Sequence, residues 1–159
     1  MKKIFIPLFI IFLASVFSIA EIKKPVKWKV TLSPNAKVGG TATLKFEATI
    51  DEGWHLYASD FDPDLGPTVT EVVLADESTN KLKGKLISEK STHQFDKTWG
   101  GEVAFFSKKG VFTQQIGINS KLIEGTIKGQ ACIESQCVQT KAKFKIDISK
   151  PTAYVIEIK

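Results

Sequence analysis

The chain has 159 residues, 43% of them hydrophobic, and a formal net charge of +5. That length holds one domain with a sizeable core. All 22 basic residues are Lys, scattered rather than clustered with aromatics. The arginine forks that read bases and phosphates are missing, which argues against a nucleic-acid partner.

Met1-Lys2-Lys3 precedes an uncharged apolar run, Ile4–Ala20, that ends in Ser18-Ile19-Ala20. A positive start, a short apolar stretch and small residues at −3 and −1 describe a secretory signal peptide, with cleavage expected after Ala20. A membrane anchor is the competing reading. The run is 17 residues long, at the short limit for a span, which needs about 20. No Cys lies near the cleavage site for lipid attachment, and no later stretch is apolar enough to span a bilayer. Residues 21–159 are therefore expected to form one exported domain with no stable membrane insertion. Losing Lys2 and Lys3 lowers its formal charge to +3.

From there the period is two. Val26, Trp28, Val30 and Leu32 alternate with Lys27, Lys29 and Thr31, and Leu44, Phe46, Ala48 and Ile50 alternate with Lys45, Glu47 and Thr49. Each set reads as a strand with one wet face. Further strands are predicted at Trp54–Ala58, Val69–Leu74, Leu82–Ser88, Val103–Phe106, Val111–Ile118, Leu122–Cys132 and Cys137–Ile148. Turn chemistry separates them, as at Asp51-Glu52-Gly53, Asp62-Pro63-Asp64, Gly66-Pro67 and Gly100-Gly101. No stretch of the exported part carries an apolar stripe at helical spacing. The expected fold is all-β, an immunoglobulin-like two-sheet sandwich.

The only two cysteines stand in Cys132-Ile133-Glu134-Ser135-Gln136-Cys137. Strands on both sides make the four intervening residues a hairpin connection, and cysteines at its ends come within disulfide range. An exported protein meets oxidising conditions, so a bond is expected. As a staple it is weak, because the chain-entropy model gives about 2 kcal/mol for so short a loop. Exposed disulfides at loop tips are the reducible ones. Spacing alone leaves two readings equally open: a redox pair, or an inert staple in a non-catalytic protein-binding module. Two thiolates without neighbouring histidines fall short of a zinc site. No cofactor motif is present; in particular, no Gly-rich phosphate loop precedes a helix. His55 and His93 are the only histidines, and spacing assigns neither a role.

Three stretches carry a family resemblance: Gly53-Trp54-His55-Leu56-Tyr57, Phe95-Asp96-Lys97-Thr98-Trp99-Gly100, and Gly129-Gln130-Ala131-Cys132 through Cys137. In this order and spacing, residues from about Lys27 to Ile148 resemble the N-terminal periplasmic domain of the thiol:disulfide interchange protein DsbD. The resemblance implies an immunoglobulin-like domain that carries out thiol–disulfide exchange in the periplasm. Such a domain relays electrons from a membrane-embedded thiol reductase to periplasmic thioredoxin-like proteins. It further implies that Cys137 forms the mixed disulfide, that Cys132 resolves it, and that a cap over Asp96, Lys97, Thr98, Trp99 and Gly100 shields the pair. His55 and Tyr57 fall at positions beside the pair. His55 stands where the family has an aromatic, Thr98-Trp99 stands where it has two, and the cysteines are one residue closer together. The chain carries neither the membrane domain nor the thioredoxin domain of full-length members, so a separate electron donor is expected.

Overall fold

The computed structural model describes residues 23–134, 136–150 and 153–157. The signal peptide expected at residues 1–20 lies outside the described residues, as does Ser135 between the two cysteines. Eleven strands run through the described part: β1 Val26–Leu32, β2 Thr41–Ile50, β3 His55–Tyr57, β4 Glu71–Leu74, β5 Lys81–Ser88, β6 Thr92–Asp96, β7 Gly101–Ser107, β8 Lys109–Gly117, β9 Leu122–Ile133, β10 Gln136–Asp147 and β11 Ala153–Glu157. A single 3-10 turn, Pro63–Leu65, interrupts the connection from β3 to β4.

The strands form two sheets. One has the order β1-β2-β8-β5, the other β11-β10-β9-β3-β7-β6, with β4 pairing farther along β9. This is the expected immunoglobulin-like sandwich. Its cause is the alternation itself: Ala42, Leu44, Phe46, Ala48 and Ile50 of β2 are all buried while their neighbours are not. A one-residue slip would turn that whole set to water. Aromatic pairs join the layers, with Phe46 edge-on to Phe144 at 5.3 Å between ring centres and Phe106 edge-on to Phe112 at 5.1 Å.

Two strands escape the periodicity. β6 shows no buried residue, because it is the outer edge of its sheet with neither face in the core. Its segment, read as loop, is half of a hairpin with β7, in register from Thr92↔Phe105 to Asp96↔Gly101. β11 lies beyond the last predicted strand and pairs its backbone with β10. Within β5 the register shifts between Lys83 and Ile87. Gly84 stands inside this bulge with φ +70°, a conformation glycine adopts at little cost.

Candidate functional site

β9 and β10 are long partners, in register from Leu122↔Asp147 to Ile133↔Gln136. The ladder therefore continues one pair past the cysteines, to Ile133 and Gln136, rather than stopping at them as the expected four-residue loop requires. Ile133 and Gln136 belong to the ladder, and Glu134 takes a left-handed conformation with φ 37°, as tight hairpin turns require. Antiparallel ladders alternate hydrogen-bonded and closer, non-hydrogen-bonded pairs. The turn-flanking pair is of the first kind, so the next pair out, Cys132↔Cys137, is of the second. Its Cα atoms are 4.1 Å apart, and the two sulfurs form a disulfide.

The pleat then decides where the sulfurs lie. Ile127 and Ala131 of β9 face the inter-sheet core, so Gln130 and Cys132 face outward on the opposite side of the sheet. Both are nonetheless buried. They are covered by the connection from β3 to β4 and by the β6–β7 hairpin. Cys132, Tyr57 and Val103 form a small apolar cluster separate from the main core, with Phe61, Leu65, Trp99 and Phe105 packed against it. Cys137 across the disulfide is exposed. The bond thus joins one buried cysteine to one exposed cysteine.

The cap is built by Asp96 and two glycines. Asp96 Oδ1 accepts the Thr98 N–H at 2.7 Å and the Trp99 N–H at 3.4 Å, and its carbonyl accepts the Gly100 N–H at 2.8 Å. Gly100 supplies the positive φ, 73°, that closes the turn. Trp99 is thereby aimed back over the sheet, and its Nε1–H donates to the Tyr57 hydroxyl at 3.0 Å. The ring rests on Gly66: a Cβ there would stand 2.2 Å from Trp99 Cε3. Leu65 likewise rests on Gly101, where a Cβ would stand 2.5 Å from Leu65 Cδ1. At the hairpin base, His93 of β6 bridges Asp60 (3.0 Å) and Glu102 (3.3 Å). Lys97 and Thr98 form the exposed tip. Lys97 also borders a groove of about 420 Å³ that runs between β6 and the His55–Tyr57 strand.

His55 is the direct cross-strand neighbour of Cys132. Its ring stands edge-on to Tyr57 at 5.1 Å and to Phe105 at 5.4 Å. Burial lowers its pKa from the ordinary 6.5, and the Asp96 charge only partly opposes this. The imidazole is thus biased toward its neutral form. Burial also raises the Tyr57 pKa, against the Trp99 hydrogen bond. Residues 55, 57, 96, 99 and 132 meet in one place; Cys137 lies on its open side.

Three contributors, Leu65, Gly66 and Gln130, have roles that no sequence motif marks. Leu65 and Gly66 were only part of a turn signal, and nothing local shows that they meet the cap. Gln130 stands two residues before Cys132, so a strand pleat alone puts both side chains on one face. Gln130 Oε1 accepts the Thr68 N–H at 2.9 Å, and its Nε2 lies 3.5 Å from Cys132 Sγ.

The sequence matches the family described as "Thiol:disulfide interchange protein DsbD, N-terminal" over residues 24–148. A comparison with curated proteins returns no match. Among solved structures, the N-terminal periplasmic domain of ScsB from Proteus mirabilis superposes with a TM-score of 0.55 at 16% identity, over 80% of this chain and 47% of that one. This chain therefore spans about half the length of that relative. The reduced DsbD N-terminal domain of Neisseria meningitidis superposes with a TM-score of 0.52 at 14% identity, over 72% of this chain and 82% of that one. At these identities the two structures establish the shared fold. The family match covers most of the chain, which therefore belongs to the family of N-terminal domains of the thiol:disulfide interchange protein DsbD.

Proposed function

We propose that this domain is exported and relays electrons through Cys132 and Cys137, from a membrane-embedded thiol reductase to thioredoxin-like proteins of the periplasm. The observation that carries the reading is the asymmetry of the disulfide, with Cys132 buried under the cap and Cys137 exposed. Thiolates attack disulfides in line, and access decides which sulfur is taken. A reduced partner's thiolate attacks Cys137 Sγ, the Cys132–Cys137 bond breaks, and its electron pair leaves on Cys132. The partner's second thiolate then attacks its own sulfur of the mixed disulfide and releases Cys137. Two electrons have moved from partner to domain, and solvent supplies the protons that the two thiolates take up. Toward an oxidised partner the steps reverse: Cys137 attacks, and Cys132 resolves.

In this scheme the cap selects a sulfur. Trp99, Leu65 and Phe61 pack against the cluster that holds Cys132 and leave Cys137 to the partner. Export through residues 1–20 provides the compartment. The test is partner trapping in the exporting host. Cys132→Ser lacks the resolving thiol and is expected to accumulate mixed disulfides with thioredoxin-like proteins, whereas Cys137→Ser should trap little. The reverse pattern would overturn the assignment of roles. Trapping by neither variant would overturn the exchange function.

A further inference from the structure

We infer that Gln130 is a thiolate-stabilising residue, its side-chain N–H held ready for the negative charge that appears on Cys132 when the disulfide opens. The inference rests on the exchange reading above and names a group which that reading leaves unassigned. Its basis is the orientation of a buried amide. Gln130 is 8% exposed, and its two ends are not interchangeable. The backbone N–H of Thr68 can only donate. It points at Gln130 Oε1 from 2.9 Å, and Gln139 Nε2 approaches the same oxygen at 3.5 Å. The oxygen is thus committed to donors, which leaves Nε2 toward Cys132 Sγ at 3.5 Å.

Among the described residues, no other group around that sulfur does this work. The titratable groups facing it are His55 and Tyr57 from β3, with Asp96 from the cap acting on both. Burial biases His55 toward neutrality, and a carboxylate at Asp96 disfavours a second negative charge. Among the described residues, Gln130 Nε2 is the one side-chain donor within hydrogen-bond range of Cys132 Sγ. A thiolate buried at this position is costly unless a donor meets it.

The chemistry places the effect on one step. When a dithiol partner attacks Cys137, a new sulfur–sulfur bond forms at Cys137. The old bond breaks, and its electron pair moves to Cys132 Sγ, the leaving group. Leaving is faster when the departing thiolate is stabilised. An N–H already aimed at the sulfur does this without rearrangement. In the reverse direction the same contact raises the fraction of Cys132 present as thiolate, ready to resolve the mixed disulfide.

The test needs no partner protein. In a Cys137→Ser background, Cys132 is the single thiol, and its ionisation is read from thiolate ultraviolet absorbance against pH. Gln130→Leu is expected to raise its pKa by about one unit, a tenfold loss of thiolate at a given pH below it. Gln130→Glu keeps the volume and the acceptor for Thr68 but puts an oxygen where Nε2 stood, so the pKa should rise further. In the parent background, Gln130→Glu should also slow reduction of the disulfide by dithiothreitol at neutral pH by at least tenfold. Titration of both variants at the parent value overturns the inference. Should either variant fold poorly, the Gln130 side-chain amide resonances of the Cys137→Ser protein decide it. They should move with the Cys132 titration, and fixed resonances overturn the proposal. A shifted pKa combined with no trapped partner would sink the relay and leave the Gln130 contact standing. Trapping with an unshifted pKa would do the reverse.

Discussion

Gly66 is the point at which the cap can be disturbed without touching the sandwich core. Its φ is +136°, and an added Cβ would stand 2.2 Å from Trp99 Cε3 and 2.5 Å from Cζ3. Carbon atoms in contact sit about 3.5–4.0 Å apart, so in Gly66→Ala the indole must retreat by more than about 1 Å or the loop must move. A side chain at this φ costs about 1–3 kcal/mol when the surroundings enforce it. Relief comes by releasing the cap. Retreat also breaks the 3.0 Å bond from Trp99 Nε1 to the Tyr57 hydroxyl, whose net worth is about 0.5–1.5 kcal/mol. A bias of about 1–3 kcal/mol toward the open cap corresponds to roughly 5- to 150-fold more open molecules. The assay is alkylation of the reduced protein by a small reagent, with each cysteine followed by peptide mass. Cys132 should react roughly 5- to 150-fold faster in Gly66→Ala, while Cys137, already exposed, should change little. Main-core residues do not include Gly66 or Trp99, so cooperative melting should persist. An unchanged Cys132 rate in a folded variant would refute the covering role of Trp99. Equal acceleration at both cysteines, with a lost melting transition, would mean that the fold rather than the cap had opened.

Tyr57→Phe removes only the acceptor for Trp99 Nε1; a few-fold rise in Cys132 alkylation is expected, from about 1 kcal/mol, with little change in Tm. Reducing the disulfide should leave the sandwich folded, since the pair lies outside the main core and so short a loop contributes about 2 kcal/mol; thermal melts of the two forms check this, and collapse on reduction would favour a staple. Burial holds the His55 pKa below 6.5, so in that window the unfolded chain binds more protons than the folded one. The stability that neutral His55 contributes is present above pH 6.5 and lost as pH falls through the lower folded value. His55→Phe should flatten that part of the stability–pH curve in denaturant titrations, and an unaltered slope would count against it.

The sequence was most readable where one face of a strand is dry and the other wet. β1, β2 and β10 announce themselves because Lys or Thr alternates with large apolar residues across a real core boundary. β6 could not be read this way, since Thr92, His93, Gln94 and Phe95 are all exposed on a sheet edge. The cysteine pair is legible as a hairpin feature, but the ladder runs one pair past it, through Ile133 and Gln136. Ile133 and Gln136 carry no turn signature, yet they also carry no sign that the ladder continues past the sulfurs. The cap was legible only through resemblance. What seats it is contact across long separations, Trp99 on Gly66 and Leu65 on Gly101, and no local pattern encodes that. Gln130 is the intermediate case: its face follows from the pleat, whereas its fixed amide orientation depends on Thr68, 62 residues away.

Exchange itself is tested most directly by mixing the oxidised protein with a reduced thioredoxin-like protein at neutral pH and quenching samples with an alkylating reagent. Intact mass then reports the redox state of both partners. The Cys132–Cys137 disulfide should disappear as the donor becomes oxidised in equal amount, both cysteines should become alkylated, and a transient adduct should map to Cys137. A disulfide that stays intact while the same donor reduces a control substrate would contradict the account.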